Sequence, residues 1–260
     1  MITLADLIRK LEAWAPPHWA ESYDTVGLLW GEPTRPVSGV LTTLDITPSI
    51  LEEARALGTN LIIAHHPIWF GQKQRLSWEA FADRLIYELI KADIAVYAMH
   101  TNLDQAREGV SFTLCRALDL TPEGFLQSNA GEYGTGYIGR GSYPLPIEDF
   151  FNHLKQKLSI PVLRYARGHQ TAIQRVAVCG GAGSFLLPEA LKAGVDAFLT
   201  ADIPYHRFFE AQGKVWLIDI GHYESEVWIA DQIANYLRRE FPTLPIFSTR
   251  LRTNPIEYWI

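Results

Sequence analysis

Six short apolar runs constrain the fold of this 260-residue chain more than any other feature. They are rich in branched side chains and nearly continuous rather than alternating with polar residues, which is typical of strands buried on both faces of a sheet. The runs lie at 40–45, 60–66, 93–100, 175–181, 197–202 and 214–222.

A helical pattern follows each run. Ser77 is expected to cap one helix, which carries Phe81, Leu85 and Leu89 on one face. The other patterns cover about 48–57, 104–118, 184–193, 204–212 and 225–240. Because strands alternate with helices, we predict an α/β protein whose mostly parallel, mixed sheets are flanked by helices.

The two halves of the chain resemble each other. Residues 39–70 align without gaps on residues 175–206, and both stretches read as strand, turn, helix and strand. The next strand of each half ends in a histidine followed four positions later by a carboxylate. These pairs are His100 with Asp104, and His222 with Glu226. We therefore predict a duplication, with repeats at about 1–125 and 126–260.

The composition excludes several classes of protein. The chain is 48% hydrophobic and 20% charged with a net charge of −6, and it has no long basic run, so nucleic-acid binding is not favoured. Cys115 and Cys179 lie in unrelated contexts, which favours a reducing cytoplasm over a disulfide scaffold. The N-terminal stretch is amphipathic rather than a signal peptide, and no apolar run is long enough to span a membrane.

Residues that commonly bind metal ions are concentrated where the predicted strands end. Ligands of parallel α/β sheets bind beyond the carboxyl ends of the strands. The residues at these ends are His65, His66, His100, Asp104, Asp202, His206, Asp219, His222 and Glu226. Five of the eight histidines occupy such positions, which indicates a metal site.

Each cluster also has a simpler interpretation. His65 and His66 are adjacent, so their rings can serve two ions, or one ion and a neighbour; alternatively they are hydrogen-bonded at a structural turn. His222 and Glu226 lie on one face if a helix begins near residue 223, which suits two ligands of one ion; the alternatives are a cap or a surface ion pair. Asp104 is either a ligand or the N-cap of the following helix.

Together the clusters combine nitrogen and oxygen ligands, which suit zinc, manganese, iron or cobalt better than copper(I) or calcium. No cysteine takes part, so a closed structural zinc site is disfavoured. Two further features have open interpretations. The CGGAG stretch at 179–183 forms either a tight turn or a set of amides that bind phosphate. Asp24 is either a buried hydrogen-bonding residue or part of a pocket wall.

The whole chain resembles the Nif-three-like family, also called GTP cyclohydrolase I type 2 homologues. The resemblance rests on short motifs in a fixed order: YDTVGLLWG, AHHP, MHTNLD, CGGAG, DAFLTADIPYH, DIGHYESE and TNP at 253–255. The chain departs from the family pattern at three positions, where Tyr23 replaces Trp, Thr25 replaces Asn and Ala201 replaces Gly.

This resemblance implies two intertwined α/β repeats with a dinuclear centre of divalent metal ions between them. Matching motif positions give the ligands, with Glu226 as the bridge. They are His65, His66, Asp104, His222 and Glu226. The family further implies a toroidal homohexamer, and His100 and Asp202 match motif positions that suit ligand support or acid–base work.

The resulting functional hypothesis is metal-assisted hydrolysis of a C–N or phosphate bond in a nucleotide or related small molecule. His100 is the expected catalytic proton shuttle, because an ordinary imidazole titrates near neutral pH. Opening of the GTP ring is implied by the family name alone. The alternative is a non-catalytic metal-binding oligomer that acts as carrier, scaffold or regulatory partner.

Overall fold

The computed structural model describes residues 1–71, 75–129 and 131–259. The helices are α1 (Leu4–Trp14), α2 (Pro48–Leu57), α3 (Phe81–Lys91), α4 (Thr101–Asp104), α5 (Val110–Ala117), α6 (Ile147–Leu158), α7 (Leu187–Ala193), α8 (Tyr205–Ala211), α9 (His222–Glu226) and α10 (Trp228–Glu240). The strands are β1 (Gly27–Trp30), β2 (Val40–Thr43), β3 (Leu61–Ala64), β4 (Ala95–Ala98), β5 (Thr121–Asn129), β6 (Tyr133–Pro146), β7 (Arg164–Ala166), β8 (Ala172–Val178), β9 (Ala197–Thr200), β10 (Trp216–Asp219) and β11 (Ile246–Ser248).

The first compact unit consists of Met1–Leu103 and Ile229–Asn254. Its sheet has the order β1-β4-β3-β2-β11, and every pairing is parallel except that of the edge strand β1 with β4. Helices α2 and α3 bury Leu51 and Leu89 in a core cluster that also contains Ile62 and Val96 of the sheet. The parallel order places the carboxyl ends of β2, β3 and β4 side by side.

The second unit consists of Asp104–Trp228 with the chain end from Pro255. Its sheet has the order β5-β6-β8-β9-β10-β7, in which β8, β9 and β10 are parallel and the outer strands are antiparallel. One core cluster contains Leu114 of α5 and Leu154 of α6, and another contains Ala190 of α7 and Ala211 of α8. Helices therefore cover both faces of this sheet.

All six strands predicted from the apolar runs are present as β2, β3, β4, β8, β9 and β10. The aligned stretches share a strand register, because Val40 pairs with Leu61 in one unit and the aligned Val176 pairs with Ala197 in the other. The α/β fold class is confirmed. The repeat boundary at residue 125 stays a prediction about the sequence.

The aligned helices α2 and α7 end in the same way. Gly58 follows α2 with φ of 67°, and Gly194 follows α7 with φ of 63°. This left-handed conformation is strained for residues with a Cβ, so glycine is favoured at both C-termini.

Two local predictions are wrong. Ser77 does not cap a helix: α3 begins at Phe81, and the backbone amide of Ser77 donates instead to the Asp83 carboxylate at 2.6 Å. Phe81 is 56% exposed and does not share the buried face of Leu85 and Leu89, because it lies at the first position of the helix. Among the described residues, no helix combines the length and apolar character that crossing a membrane requires.

Candidate metal centre

Three histidines cluster at the strand ends of the first unit. His65 and His66 directly follow β3, and His100 follows the adjacent parallel strand β4. A ring nitrogen of each lies within 4.8 Å of one in the others. The ring centroids are 5.0 Å apart for His65 and His66, and 5.2 Å apart for His65 and His100. This arrangement is the consequence of two parallel neighbours ending at one sheet edge.

Each of these rings is held through Nδ1. The Nδ1 of His65 lies 2.7 Å from the carbonyl oxygen of Met99, and that of His66 lies 2.7 Å from Asp45 Oδ1. Carbonyl and carboxylate oxygens only accept hydrogen bonds, so each Nδ1 carries the proton and Nε2 carries the lone pair. Metal-binding histidines are typically oriented in this way.

The third ring is held by Asp24. Its Oδ1 lies 2.9 Å from Nδ1 of His100, while its Oδ2 accepts from the Thr101 amide at 3.0 Å and the Thr101 hydroxyl at 2.5 Å. Burial tends to raise the pKa of this carboxyl, but the hydrogen bonds from His100 and Thr101 outweigh it and lower the pKa to about 2. Asp24 is thus a buried, ionised acceptor.

The second unit presents its own imidazole and carboxylates. Asp104 closes α4 and Glu226 closes α9, and oxygens of the two carboxylates lie within 4.8 Å of each other. Helix α9 begins at His222, so His222 and Glu226 lie on one face as their spacing predicted, with Nε2 and Oε2 3.1 Å apart. The Nδ1 of His222 lies 2.6 Å from Asp202 Oδ2, which repeats the orientation found in the first unit.

Asp104 is not a helix N-cap. The helix that follows it, α5, begins at Val110 with Gly109 at the N-cap position. Asp104 instead ends the short helix α4, next to the Glu226 carboxylate. The interpretation as a cap is therefore wrong.

The CGGAG stretch is a tight turn that supports Glu226. The amides of Gly180, Gly181 and Gly183 already donate to the hydroxyls of Ser111, Ser225 and Thr200, at 3.3, 2.9 and 2.8 Å. These contacts exclude the interpretation that the three amides bind phosphate. A Cβ at Gly181 would lie 2.3 Å from Glu226 Oε1, so glycine is required for this approach.

Cys179 begins the same turn and is buried. Burial, reinforced by the nearby Asp104 and Glu226 carboxylates, raises the pKa of its thiol. The thiol therefore stays protonated at neutral pH.

Three strand-end residues, Asp202, Asp219 and His206, belong to none of the candidate metal-binding groups among the described residues, and Asp202 instead holds Nδ1 of His222. Asp219 forms an ion pair with Arg164 and accepts from the amides of Ile203 and Gly221, so its carboxylate serves the local backbone. His206 is exposed on α8, where its ring lies 5.3 Å from that of Tyr205.

The sequence reasoning missed the acceptor Asp45. This residue ends the run VLTTLD, so it carried the same strand-end signal as the histidines. Its carboxylate holds His66 and also accepts from the hydroxyl of Thr253 at 2.5 Å. The sequence could not identify the carbonyl oxygen of Met99 as the acceptor for His65, because every residue has a backbone carbonyl.

These features define a class of α/β protein with two related sheet units. Each unit presents imidazoles and carboxylates beyond the ends of its parallel strands. The chain belongs to the Duf34/NIF3 (NGG1p interacting factor 3) family, whose model matches residues 2–255. This finding confirms the resemblance recognised in the sequence motifs.

Two relatives named GTP cyclohydrolase 1 type 2 homolog are each 35% identical to the chain. The protein of Streptomyces coelicolor matches over 87% of this chain and 82% of its own length, and that of Nostoc sp. over 90% and 91%. Among solved structures, a hypothetical protein of Staphylococcus aureus superposes with a TM-score of 0.90 at 30% identity, covering 99% of both chains. A Bacillus cereus protein related to NIF3 shares the fold, with a TM-score of 0.91 at 23% identity and coverage of 100% and 99%.

Proposed function

We propose that this protein is a dinuclear metal-dependent hydrolase that acts on a C–N or phosphate bond of a nucleotide or related small molecule. The proposed metal ligands are His65, His66, Asp104, His222 and Glu226. The observation that carries the proposal is the uniform orientation of the imidazoles. In His65 and His66, Nδ1 is held by an oxygen acceptor, so the lone pair is on Nε2, and Asp202 holds Nδ1 of His222 in the same orientation.

The donor set fits a divalent transition metal ion. Neutral imidazole nitrogen and carboxylate oxygen suit zinc, manganese, iron and cobalt, and the buried Glu226 would contribute a carboxylate to the ligand set. Bound divalent ions would supply a more acidic water molecule and would stabilise negative charge that develops on an oxygen. The family name of the relatives supports GTP or a similar compound as the first substrate to test.

His100 is the proposed acid–base residue. Asp24 fixes the proton on Nδ1, so Nε2 can accept a proton from a reacting group and later return it. The Phe70 ring lies 5.5 Å from the His100 ring and is 61% exposed. An exposed aromatic face beside the acid–base residue suits stacking of a planar group such as a nucleobase.

Metal binding is tested first. Titration calorimetry and elemental analysis with Zn²⁺ and Mn²⁺ should give two ions per chain, and His66→Ala and Glu226→Gln should each remove at least one. His18→Ala is the matched control, because His18 is an exposed histidine on the turn Pro17–Trp19. If neither ligand variant changes the stoichiometry or the affinity, the proposed ligand set is wrong.

Turnover is tested on the metal-loaded protein. GTP, other nucleotides and phosphoesters are screened for release of formate or phosphate, with unchanged circular dichroism as the test of folding. We expect Glu226→Gln to abolish turnover through metal loss, and His100→Gln to lower kcat while both ions stay bound. Two bound ions without turnover on this panel would favour the carrier or scaffold function instead.

Self-association is a separate proposal that rests on the family resemblance. We propose a homohexamer, and light scattering of the purified protein should then give about six times the chain mass of 29.4 kDa. A monomeric mass over the micromolar range would reject it.

A further inference from the structure

The chain segment after β11 returns to the acceptor that holds His66. The Thr249 hydroxyl lies 2.5 Å from Glu53 Oε2 on α2, which ties the start of this segment to the first unit. Four residues later, the Thr253 hydroxyl lies 2.5 Å from Asp45 Oδ2. The other oxygen of the same carboxylate, Oδ1, accepts from Nδ1 of His66 at 2.7 Å. Thr253, Asp45 and His66 therefore form one hydrogen-bonded chain.

We propose that Thr253 is a positioning residue for His66, acting through Asp45. This inference rests on the proposed function, because it assigns Thr253 a role in metal binding. The hydroxyl can donate only to the carboxylate oxygen that faces it, which restricts rotation of the Asp45 side chain. A fixed Oδ1 then keeps the His66 proton on Nδ1 and directs the Nε2 lone pair.

Asp45 and His66 are partly exposed, which makes the hydrogen bond from Thr253 necessary. The side chains of Asp45 and His66 are 31% and 19% exposed, so water can compete for the carboxylate. The two oxygens accept short hydrogen bonds from different donors, Oδ1 from His66 and Oδ2 from Thr253, and removing either donor loosens the orientation of the carboxylate. Groups that orient metal-binding histidines typically change metal affinity by about 10–100-fold when they are removed.

A purely structural role for Thr253 would be to fix the chain segment to the fold. Thr249 separates the two roles, because its hydroxyl also ties this segment to the first unit but does not contact Asp45. Thr249→Val is therefore a matched control for Thr253→Val. Thr253→Ser keeps the hydroxyl and tests whether the donor alone restores function.

The first measurement is the affinity for Zn²⁺ and Mn²⁺ by titration calorimetry. We expect Thr253→Val to weaken binding about tenfold, and Thr253→Ser and Thr249→Val to bind within about twofold of the wild type. The proposal is overturned if Thr253→Val binds as the wild type does, or if Thr249→Val loses as much.

The second measurement does not depend on metal binding. In metal-free protein labelled with ¹⁵N-histidine, the ring nitrogen shifts of His66 report which nitrogen carries the proton. Thr253→Val should increase the fraction protonated on Nε2, and Thr253→Ser should reverse the change. If the wild type binds no metal while this shift occurs, the proposed function fails but the positioning of His66 by Thr253 stands. An unchanged His66 signal in Thr253→Val rejects the positioning itself.

Discussion

Asp24 combines burial with four hydrogen bonds, and its ionisation contributes to stability. Its side chain is fully buried, and its two oxygens accept from His100, Thr101 and the Thr25 amide. The pKa of about 2 lies below the ordinary value of 3.8. A pKa that is lower in the folded state stabilises the fold above pH 3.8, here by about 2 kcal/mol, and this contribution is lost as the pH falls towards 2.

We predict that Asp24→Asn lowers the free energy of unfolding by about 2 kcal/mol at pH 7. Urea unfolding with a chelator present should show this difference shrinking between pH 4 and pH 2, where the wild-type carboxylate becomes protonated. Asp149→Asn on the surface of α6 is the control and should change stability by less than about 0.5 kcal/mol. A difference that is constant from pH 7 to pH 2 would refute the assignment.

Residue types could be predicted at the site, but their orientation could not. The strand-end rule identified His65, His66 and His222 because it needs only the order of apolar runs. Their acceptors depend on strand register and on distant contacts. Met99 holds His65 through a backbone oxygen, and Thr253 reaches Asp45 across more than 200 positions of sequence.

At the scale of elements, the turn after β8 controls the position of Glu226. Gly181 has φ of 61°, and its Cβ position is blocked by Glu226 Oε1. Gly194, after α7, has a similar φ of 63°, yet nothing lies within 4 Å of its Cβ position. The two glycines therefore share the same backbone strain on substitution and differ in the contacts of an added Cβ, which at residue 181 would clash with Glu226 and lie 3.3 Å from His222 Cε1.

We predict that Gly181→Ala and Gly194→Ala each cost about 1 kcal/mol of stability from backbone strain, with an additional cost for the clash at residue 181. Only Gly181→Ala should displace the Glu226 carboxylate and weaken Zn²⁺ binding, by about tenfold or more. Substitution of a residue that orients a metal ligand typically changes metal affinity on that scale. Thermal unfolding and metal titration of both variants give the comparison. Equal metal affinities in the two variants would show that Glu226 does not depend on this turn.

The elements were predictable where the signal is local. The buried parallel strands are apolar throughout, so their sequences identify them. Strand β6 was missed because GTGYIGRGSYPLP has the glycines and prolines of a loop. Its glycines allow close packing instead. A Cβ at Gly134 would lie 2.3 Å from the backbone carbonyl oxygen of Gln127, and a Cβ at Gly139 would lie 2.9 Å from the Cβ of Leu120. Pairing with β5 and β8 decides the conformation here.

At the scale of the whole chain, the repeat predicts two similar sheets, but it does not predict which of them the C-terminal elements α10 and β11 join. Strand β11 pairs in parallel with β2, with Ile246 opposite Val40, although about 200 residues separate them. The Thr42 hydroxyl donates to the Ala230 carbonyl of α10 at 2.7 Å. No local sequence pattern distinguishes a β11 that joins the second sheet, which precedes it in the sequence, from a β11 that returns to the first sheet.

The two units therefore differ in how much of the chain each needs. Residues 104–228 contain all six strands of the second sheet and every member of both of its core clusters. Residues 1–103 lack β11 and α10. Helix α10 buries five apolar side chains. Burial of a Leu or Ile side chain contributes about 1.5–3 kcal/mol to the free energy of unfolding. The stabilisation lost without this helix therefore approaches the total stability of an ordinary domain. The five side chains are those of Ile229, Ala230, Ile233, Ala234 and Leu237.

We predict that the fragment 104–228 unfolds cooperatively in urea, whereas the fragment 1–103 shows no cooperative transition by circular dichroism or tryptophan fluorescence. A synthetic peptide of residues 229–254, added to the fragment 1–103, should restore a transition whose midpoint rises with peptide concentration, because binding to the folded state stabilises it. A scrambled peptide of the same composition is the control. Cooperative unfolding of 1–103 alone, with no response to the peptide, would show that α10 and β11 are dispensable to the first unit.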